Sequence, residues 1–278
     1  MIYFLTVNYY SHHLLTKLIN SLPTNQSIPY KVLIINNSPE DTDINQIECE
    51  YVQIIHAEKN LGFGQACNLG IEFIFHQDQQ AIIWIINPDA YLPQNTLAEV
   101  AKFFNSHSEV SILGTIIYNT QNEVWFAGGR FFPETGAIIH ADLLTNTDKP
   151  YLPCDWVSGC SLIINLAKFS AIPLFDPCYF LYYEDFDFCQ RYAQEGHLIA
   201  VTKDFSVIHQ PSSITNRNIF LKIQYSTYSY LITLEKYTNL VIRIMRLTRV
   251  ILYALILLTI KPQISLGKFQ GVLMYLNR

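Results

Sequence analysis

The sequence predicts an α/β fold: a Rossmann-like domain on a mixed, mainly parallel sheet, followed by a C-terminal helical appendage. Three observations predict it. Short, continuous apolar runs recur through the first 120 residues, with helix-forming stretches between them. A segment rich in Gly and Pro turns follows, then one helix and one more strand. After Pro211 the pattern reads as helix to the end. The 278 residues are half apolar and only 15% charged, enough to bury the core of one large α/β domain and its appendage.

Strands are expected at Ile2–Val7, Lys31–Ile35, Val52–Ile55, Ala81–Ile86 and Val110–Ile117. Their runs are continuous rather than alternating, as in parallel strands buried on both faces. Helices fill 11–21, 64–76 and 94–106, giving right-handed βαβ units. Between 120 and 165, Gly128-Gly129, Pro133 and Gly136 break the chain into short strands, read as antiparallel structure beside the parallel sheet. A helix over 183–195 stops at Gly196, and Leu198–Ile208 returns as a strand. The domain boundary is expected at 212/213, giving an α/β domain over 1–212 and a basic helical region over 213–278.

In such sheets ligands bind beyond the carboxyl ends of the strands. After Ala81–Ile86 stands Asn87-Pro88-Asp89. Pro88 ends the ladder, and Asp89 suits a magnesium-type ion that takes one or two carboxylates plus substrate phosphates. Asn-Pro-Asp is also ordinary turn chemistry. The stretch Asn60-Leu-Gly-Phe-Gly-Gln-Ala-Cys-Asn68 opens a helix, and Gly62 and Gly64 let backbone approach a ligand. A dinucleotide fingerprint fails here, because Cys67 stands where a third small residue belongs.

On a helical wheel, 184–195 puts Glu184, Asp187, Arg191, Gln194 and Glu195 on a polar side and Phe186, Cys189 and Ala193 opposite. Asp185 falls at the apolar edge, so it is expected to be the acid held near the core. Glu184 and Asp187 are expected to serve the helix terminus, with Arg191 as i+4 partner of Asp187. His209 ends the last strand, where it suits an ion or a diphosphate as well as a structural role.

Together these motifs resemble the family-2 inverting glycosyltransferases of the GT-A fold, most closely the bacterial rhamnosyltransferase-like branch. The likeness runs over residues 2–212 through Val7–Ser11, Val32–Ser38, Asn60–Asn68, Asn87–Asp89, Asp155–Ile164, Phe175–Arg191 and His209. It implies a nucleotide-sugar donor and a glycan or lipid-linked acceptor, as in polysaccharide biosynthesis. It implies a divalent metal, Mg2+ or Mn2+, on Asp89 with His209 as a further contact, and Asp185 as general base. Tyr9, Asn36, Asn60 and Asn68 would hold the nucleotide, and Trp156, Ser158 and Gly159 would border the sugar and acceptor. Asn36 departs from the usual Asp of that motif, with one residue missing before Ser38, and Tyr10 replaces a usual Asn.

Residues 1–216 carry 9 Lys/Arg against 22 Asp/Glu, whereas 217–278 carry 9 against the single Glu235. An acidic body argues against nucleic acid as partner. The basic tail suits an anionic surface. Val250–Ile260 is too short to span a bilayer, and Arg243, Arg246 and Arg249 form a basic arc beside it. That pattern fits a helix on an anionic membrane, or equally a helix pair that packs on the catalytic domain or forms a homodimer. The six cysteines show no C-x-x-C pair and read as reduced, mostly buried thiols. The N-terminus reads as a strand rather than an export signal. A cytoplasmic chain is therefore expected, and the lipid-linked acceptors that the resemblance implies tilt the expectation toward a peripheral place on the inner face of the plasma membrane. Two other classes share the architecture. A sugar nucleotidyltransferase would want a Gly-rich basic loop where Asn8-Tyr9-Tyr10-Ser11-His12 stands, and a catalytically silent binding module would not need Asp89 and Asp185.

Overall fold

A computed structural model describes residues 1–23, 28–210 and 215–278. In chain order the elements are β1 (Ile2–Asn8), α1 (His12–Ser21), β2 (Tyr30–Asn36), β3 (Val52–His56), α2 (Phe63–Gln77), β4 (Ile82–Ile86), β5 (Ala90–Tyr91) and α3 (Thr96–Ser106). There follow β6 (Ile112–Asn119), β7 (Val124–Phe126), β8 (Gly129–Phe132), β9 (Ala137–His140), β10 (Tyr151–Pro153) and β11 (Ser161–Asn165). The chain closes with α4 (Glu184–Gln194), β12 (Ile199–His209), α5 (Ile219–Tyr237), α6 (Leu240–Leu257) and α7 (Pro262–Leu276).

The main sheet runs β10-β12-β6-β11-β4-β1-β2-β3. The pairs β4-β1, β1-β2 and β2-β3 are parallel, as is β12-β6. The α/β class and mainly parallel sheet agree with the sequence reading, but the antiparallel part does not lie only beside the sheet. β11 inserts at its centre, antiparallel to both β4 and β6. It is apolar and fully buried like its neighbours, and Ser161 Oγ meets Trp84 Nε1 and Thr115 Oγ1, each at 2.9 Å, so the polar atoms there are satisfied. β8 and β9 form a separate hairpin.

β1 lies between β2 and β4, so successive crossovers leave it in opposite directions. That switch point opens a crevice at the carboxyl ends of β1 and β4, where Asn8-Tyr9-Tyr10 and Asn87-Pro88-Asp89 leave the sheet.

The C-terminal helices build a cluster of their own around the loop that precedes α4. Tyr179 is buried among Leu231, Ile232, Leu234, Val272 and Tyr275. Ser229 Oγ donates to the Leu181 carbonyl at 2.8 Å. The expected boundary at 212/213 lies outside the described residues. The basic arc turns partly inward. Arg243 pairs with Glu235, and Arg246 Nε donates to the Thr135 carbonyl at 2.8 Å, because the start of α6 rests on the turn between β8 and β9.

Candidate active site

A cavity of about 880 Å³ fills the crevice and extends under α5. Asp89, Asp185, His209, Tyr9, Asn60, Trp156, Ser158 and Gly159 all line it.

Asp89 follows β4 directly, and β5 then pairs with the end of β12, so Ala90 opposes His209. This pairing brings two residues 120 positions apart into contact, with His209 Nε2 3.1 Å from Asp89 Oδ1. Both are buried, and His209 Nδ1 has no hydrogen-bond partner among the described residues. Trp125 meets the His209 ring edge-on at 4.8 Å. A buried carboxylate and imidazole converging on a cavity form a donor set that fits a divalent ion whose other ligands are phosphate oxygens and water. A separate His12, Asp41 and Asp43 cluster also brings ligand atoms together, outside the cavity lining.

Asp185 sits in the first turn of α4. Two tyrosines in left-handed backbone, Tyr182 (φ 68°) and Tyr183 (φ 65°), turn the chain into that helix. The preceding Phe180 carbonyl accepts from Phe63 N–H at 3.0 Å and lies where a side chain on Gly62 would stand. Gly62 has φ 81°, so glycine is needed both for the conformation and for this contact. The Asp185 carboxylate is fixed by backbone: Gly159 N–H donates to Oδ2 and Phe186 N–H to Oδ1, each at 2.8 Å. Burial raises Asp185 above its ordinary value, while these N–H groups act to lower it.

The wheel expectation for the other two acids is corrected. Asp187 is wholly buried and Glu184 is 6% exposed, so both lie deeper than Asp185. α5 covers the start of the side that the wheel treated as polar. Asp187 accepts from Arg191 Nε at 2.7 Å, Lys236 Nζ at 2.8 Å and Tyr237 Oη at 2.8 Å. Glu184 lines the cavity, and its Oε2 has no partner among the described residues. Burial first, then the Asp185 charge, raise it from 4.5 to about 8.

Two nucleotide residues expected from sequence do not face the cavity. Asn36 is fully buried, with its amide used inside the protein by Asn8, the Asp41 carbonyl and His56. It ends β2 in register with Asn8 and braces the loop above. Its neighbour Asn37 lines the cavity instead, reaching Asn60 Oδ1 and the Gly62 carbonyl at 3.0 Å each. Asn68 exchanges two hydrogen bonds with the Phe175 backbone, at 2.8 and 2.9 Å, and so ties α2 to the loop before α4. Sequence reading also missed Trp125, His140, Arg217 and Tyr225 in the lining. No motif marks them; Arg217 and Tyr225 come from the region read as an appendage.

The Glycosyl transferase family 2 profile matches residues 4–179, a stretch that ends before Asp185 and His209. The chain is 23% identical over 235 residues to the rhamnosyltransferase WbbL of Escherichia coli (strain K12), covering 80% of this chain and 88% of that protein. It is 24% identical to the low-salt glycan biosynthesis hexosyltransferase Agl10 of Haloferax volcanii, covering 72% and 73%. It is 23% identical to an N-acetylglucosaminyl-diphospho-decaprenol L-rhamnosyltransferase of Mycobacterium tuberculosis, covering 73% and 74%. Among solved structures, GalNAc-T7 with UDP, GalNAc and Mn2+ superposes with a TM-score of 0.62 at 13% identity, over 84% of this chain and 47% of that one. The chain thus spans about half of GalNAc-T7. S. aureus TarS 1-349 in complex with UDP-GlcNAc superposes at 0.56 with 15% identity, over 84% and 66%. At these identities the superpositions speak for the fold.

Proposed function

The chain belongs to glycosyl transferase family 2 and is a glycosyltransferase, and we propose that it transfers a hexose from a nucleoside diphosphate to a hydroxyl of a glycan or lipid-linked acceptor with inversion. Rhamnose is the proposed sugar, since two of the relatives carry that activity in their names, one of them on a diphospho-decaprenol acceptor. The observation that carries the proposal is the meeting of Asp185 and the Asp89–His209 pair on one cavity at the switch point.

Asp185 acts as general base. Its two backbone N–H contacts fix the carboxylate in one orientation, and burial makes it a stronger proton acceptor than an exposed aspartate. It takes the proton of the acceptor hydroxyl as that oxygen bonds to the anomeric carbon. The bond from that carbon to the diphosphate breaks, and its electron pair leaves on the diphosphate. One displacement inverts the centre. Asp89 and His209 would hold a divalent ion, Mg2+ or Mn2+, which supplies positive charge to the departing diphosphate. Tyr9 and Tyr10, both well exposed at the cavity edge, offer rings to a nucleobase, with Asn37 and Asn60 as polar contacts beside them. Work at a membrane surface goes with a lipid-linked acceptor.

The test is transfer by the purified chain from a panel of nucleotide sugars, with product anomers assigned by NMR. Asp185→Asn should lower turnover about 100-fold or more while donor affinity is kept. Asp89→Ala should abolish the manganese dependence of nucleoside diphosphate binding in calorimetry. Equal diphosphate affinity of the native chain with manganese and with chelator would sink the metal role, and near-normal turnover of Asp185→Asn would sink the base.

A further inference from the structure

The end of α6 and the turn into α7 carry large apolar side chains left largely open among the described residues. Leu252, Tyr253, Leu255, Ile256, Leu258 and Ile260 are each at least 45% exposed. At 100° per residue, the five from Leu252 to Leu258 spread over about 220° of the helix circumference. Only Ala254 and Leu257 turn inward there. A flat protein partner covers a stripe on one side of a helix. Side chains spread over more than half the circumference match a fluid surround.

Charge agrees. No acidic residue follows Glu235, whereas Arg249 and Lys261 are exposed around the tip and Lys268 Nζ lies 5.4 Å from the Tyr253 ring centre. Cations at the rim of an apolar tip meet the phosphates of lipid headgroups while the tip enters the acyl region. No helix among the described residues is long and apolar enough to cross a membrane, so this geometry docks rather than spans.

The tip also lies on the cavity side of the molecule. Ile260 leads straight into Pro262–Leu266, and Gln263 and Leu266 form a groove with Arg217, Asn218, Ile219 and Phe220. Arg217 and Asn218 line the main cavity as well, as do Leu221 and Tyr225 one turn further along α5. Resting on the reading that the chain works at a membrane, we propose that the α6–α7 tip, Leu252 to Ile260, is a docking wedge for an anionic lipid bilayer. Docking there sets the mouth of the cavity beside the headgroups. The Arg243 and Arg246 part of the arc, turned onto Glu235 and Thr135, is not the docking face.

The test is flotation of the full chain with vesicles of phosphatidylcholine and phosphatidylglycerol, comparing native protein with Leu255→Glu/Ile256→Glu. Both positions are exposed, so the thermal unfolding midpoint should hold. The double variant should lose about tenfold or more in vesicle partition and keep its transfer rate to a soluble acceptor analogue. Flotation of the variant equal to native would overturn the wedge and leave membrane attachment to another surface. A native dimer that becomes monomeric in the variant, by light scattering, would overturn it in favour of a face between copies. Native protein that ignores all vesicles would sink both the wedge and the membrane reading, while transfer to the soluble analogue would still stand.

Discussion

Glu184 and Asp185 are adjacent, yet their carboxyls meet different surroundings. Asp185 has two backbone N–H donors, whereas Glu184 Oε2 has none among the described residues. Glu184 therefore holds its proton to about pH 8 when folded, against about 4.5 ordinarily. Between those values the unfolded chain has released the proton and the folded chain has not. Stability must therefore fall as pH rises through that window, by at most about 1.4 kcal/mol per unit for this group. Glu184→Gln cannot ionise, so its unfolding midpoint relative to native should be higher at pH 8.5 than at pH 5. A constant difference across that range would show that Glu184 ionises normally. The residue scale is also where the sequence was hardest to read. Asn36 and Asn37 are the same residue type, and the pairing of Asn36 with Asn8 on one side and His56 on the other decides which of them is turned away from the cavity.

At the scale of elements, the parallel strands were legible because strands buried on both faces need unbroken apolar runs. β11 has the same apolar look, and its central antiparallel place is a fact of pairing that composition does not encode. The wheel for α4 failed for a related reason. It assumed water along the whole polar side, whereas Lys236 and Tyr237 come from some 50 residues away to cover Asp187 and leave Gln194 and Glu195 exposed. A buried carboxylate held by two cations and a phenol clamps α4, and with it Asp185, to α5. Asp187→Asn leaves two cations facing an amide, and removing one side of a buried ion pair costs about 3–5 kcal/mol. Lys236 and Arg191 keep some contact with water, so about 3 kcal/mol is expected. In a chain of this size that is a drop of roughly 6–12 °C in unfolding midpoint. A change under about 2 °C in scanning calorimetry would mean that the clamp contributes little.

At the scale of the molecule, the composition split at residue 217 suggested a helical appendage, which α5, α6 and α7 form, and α5 ties it to the loop and helix that carry Asp185. α5 contributes Leu231, Ile232 and Leu234 to the pocket around Tyr179, donates through Ser229 to the Leu181 carbonyl, and supplies Lys236 and Tyr237 to Asp187. All of these contacts fall on the loop and helix that carry Asp185. The main partner of α7 is α5 and that of α6 is α7, and α7 reaches the loop through Val272 and Tyr275 beside Tyr179. The two halves of the basic region should therefore behave differently when removed. A chain ending at residue 216 uncovers Tyr179 and leaves the Asp185 loop without its support, so it should lose cooperative unfolding and donor binding. A chain ending at 238 keeps every contact from α5 to α4 but bares the face of α5 that α7 covers and takes Val272 and Tyr275 away from Tyr179. It should unfold at a lower temperature, still cooperatively, and its midpoint should still rise on adding nucleoside diphosphate with manganese, since a ligand of the native state alone stabilises it. If the 216-residue chain unfolds cooperatively and answers to the same ligands, α5 is a separable appendage and the clamp on α4 is dispensable.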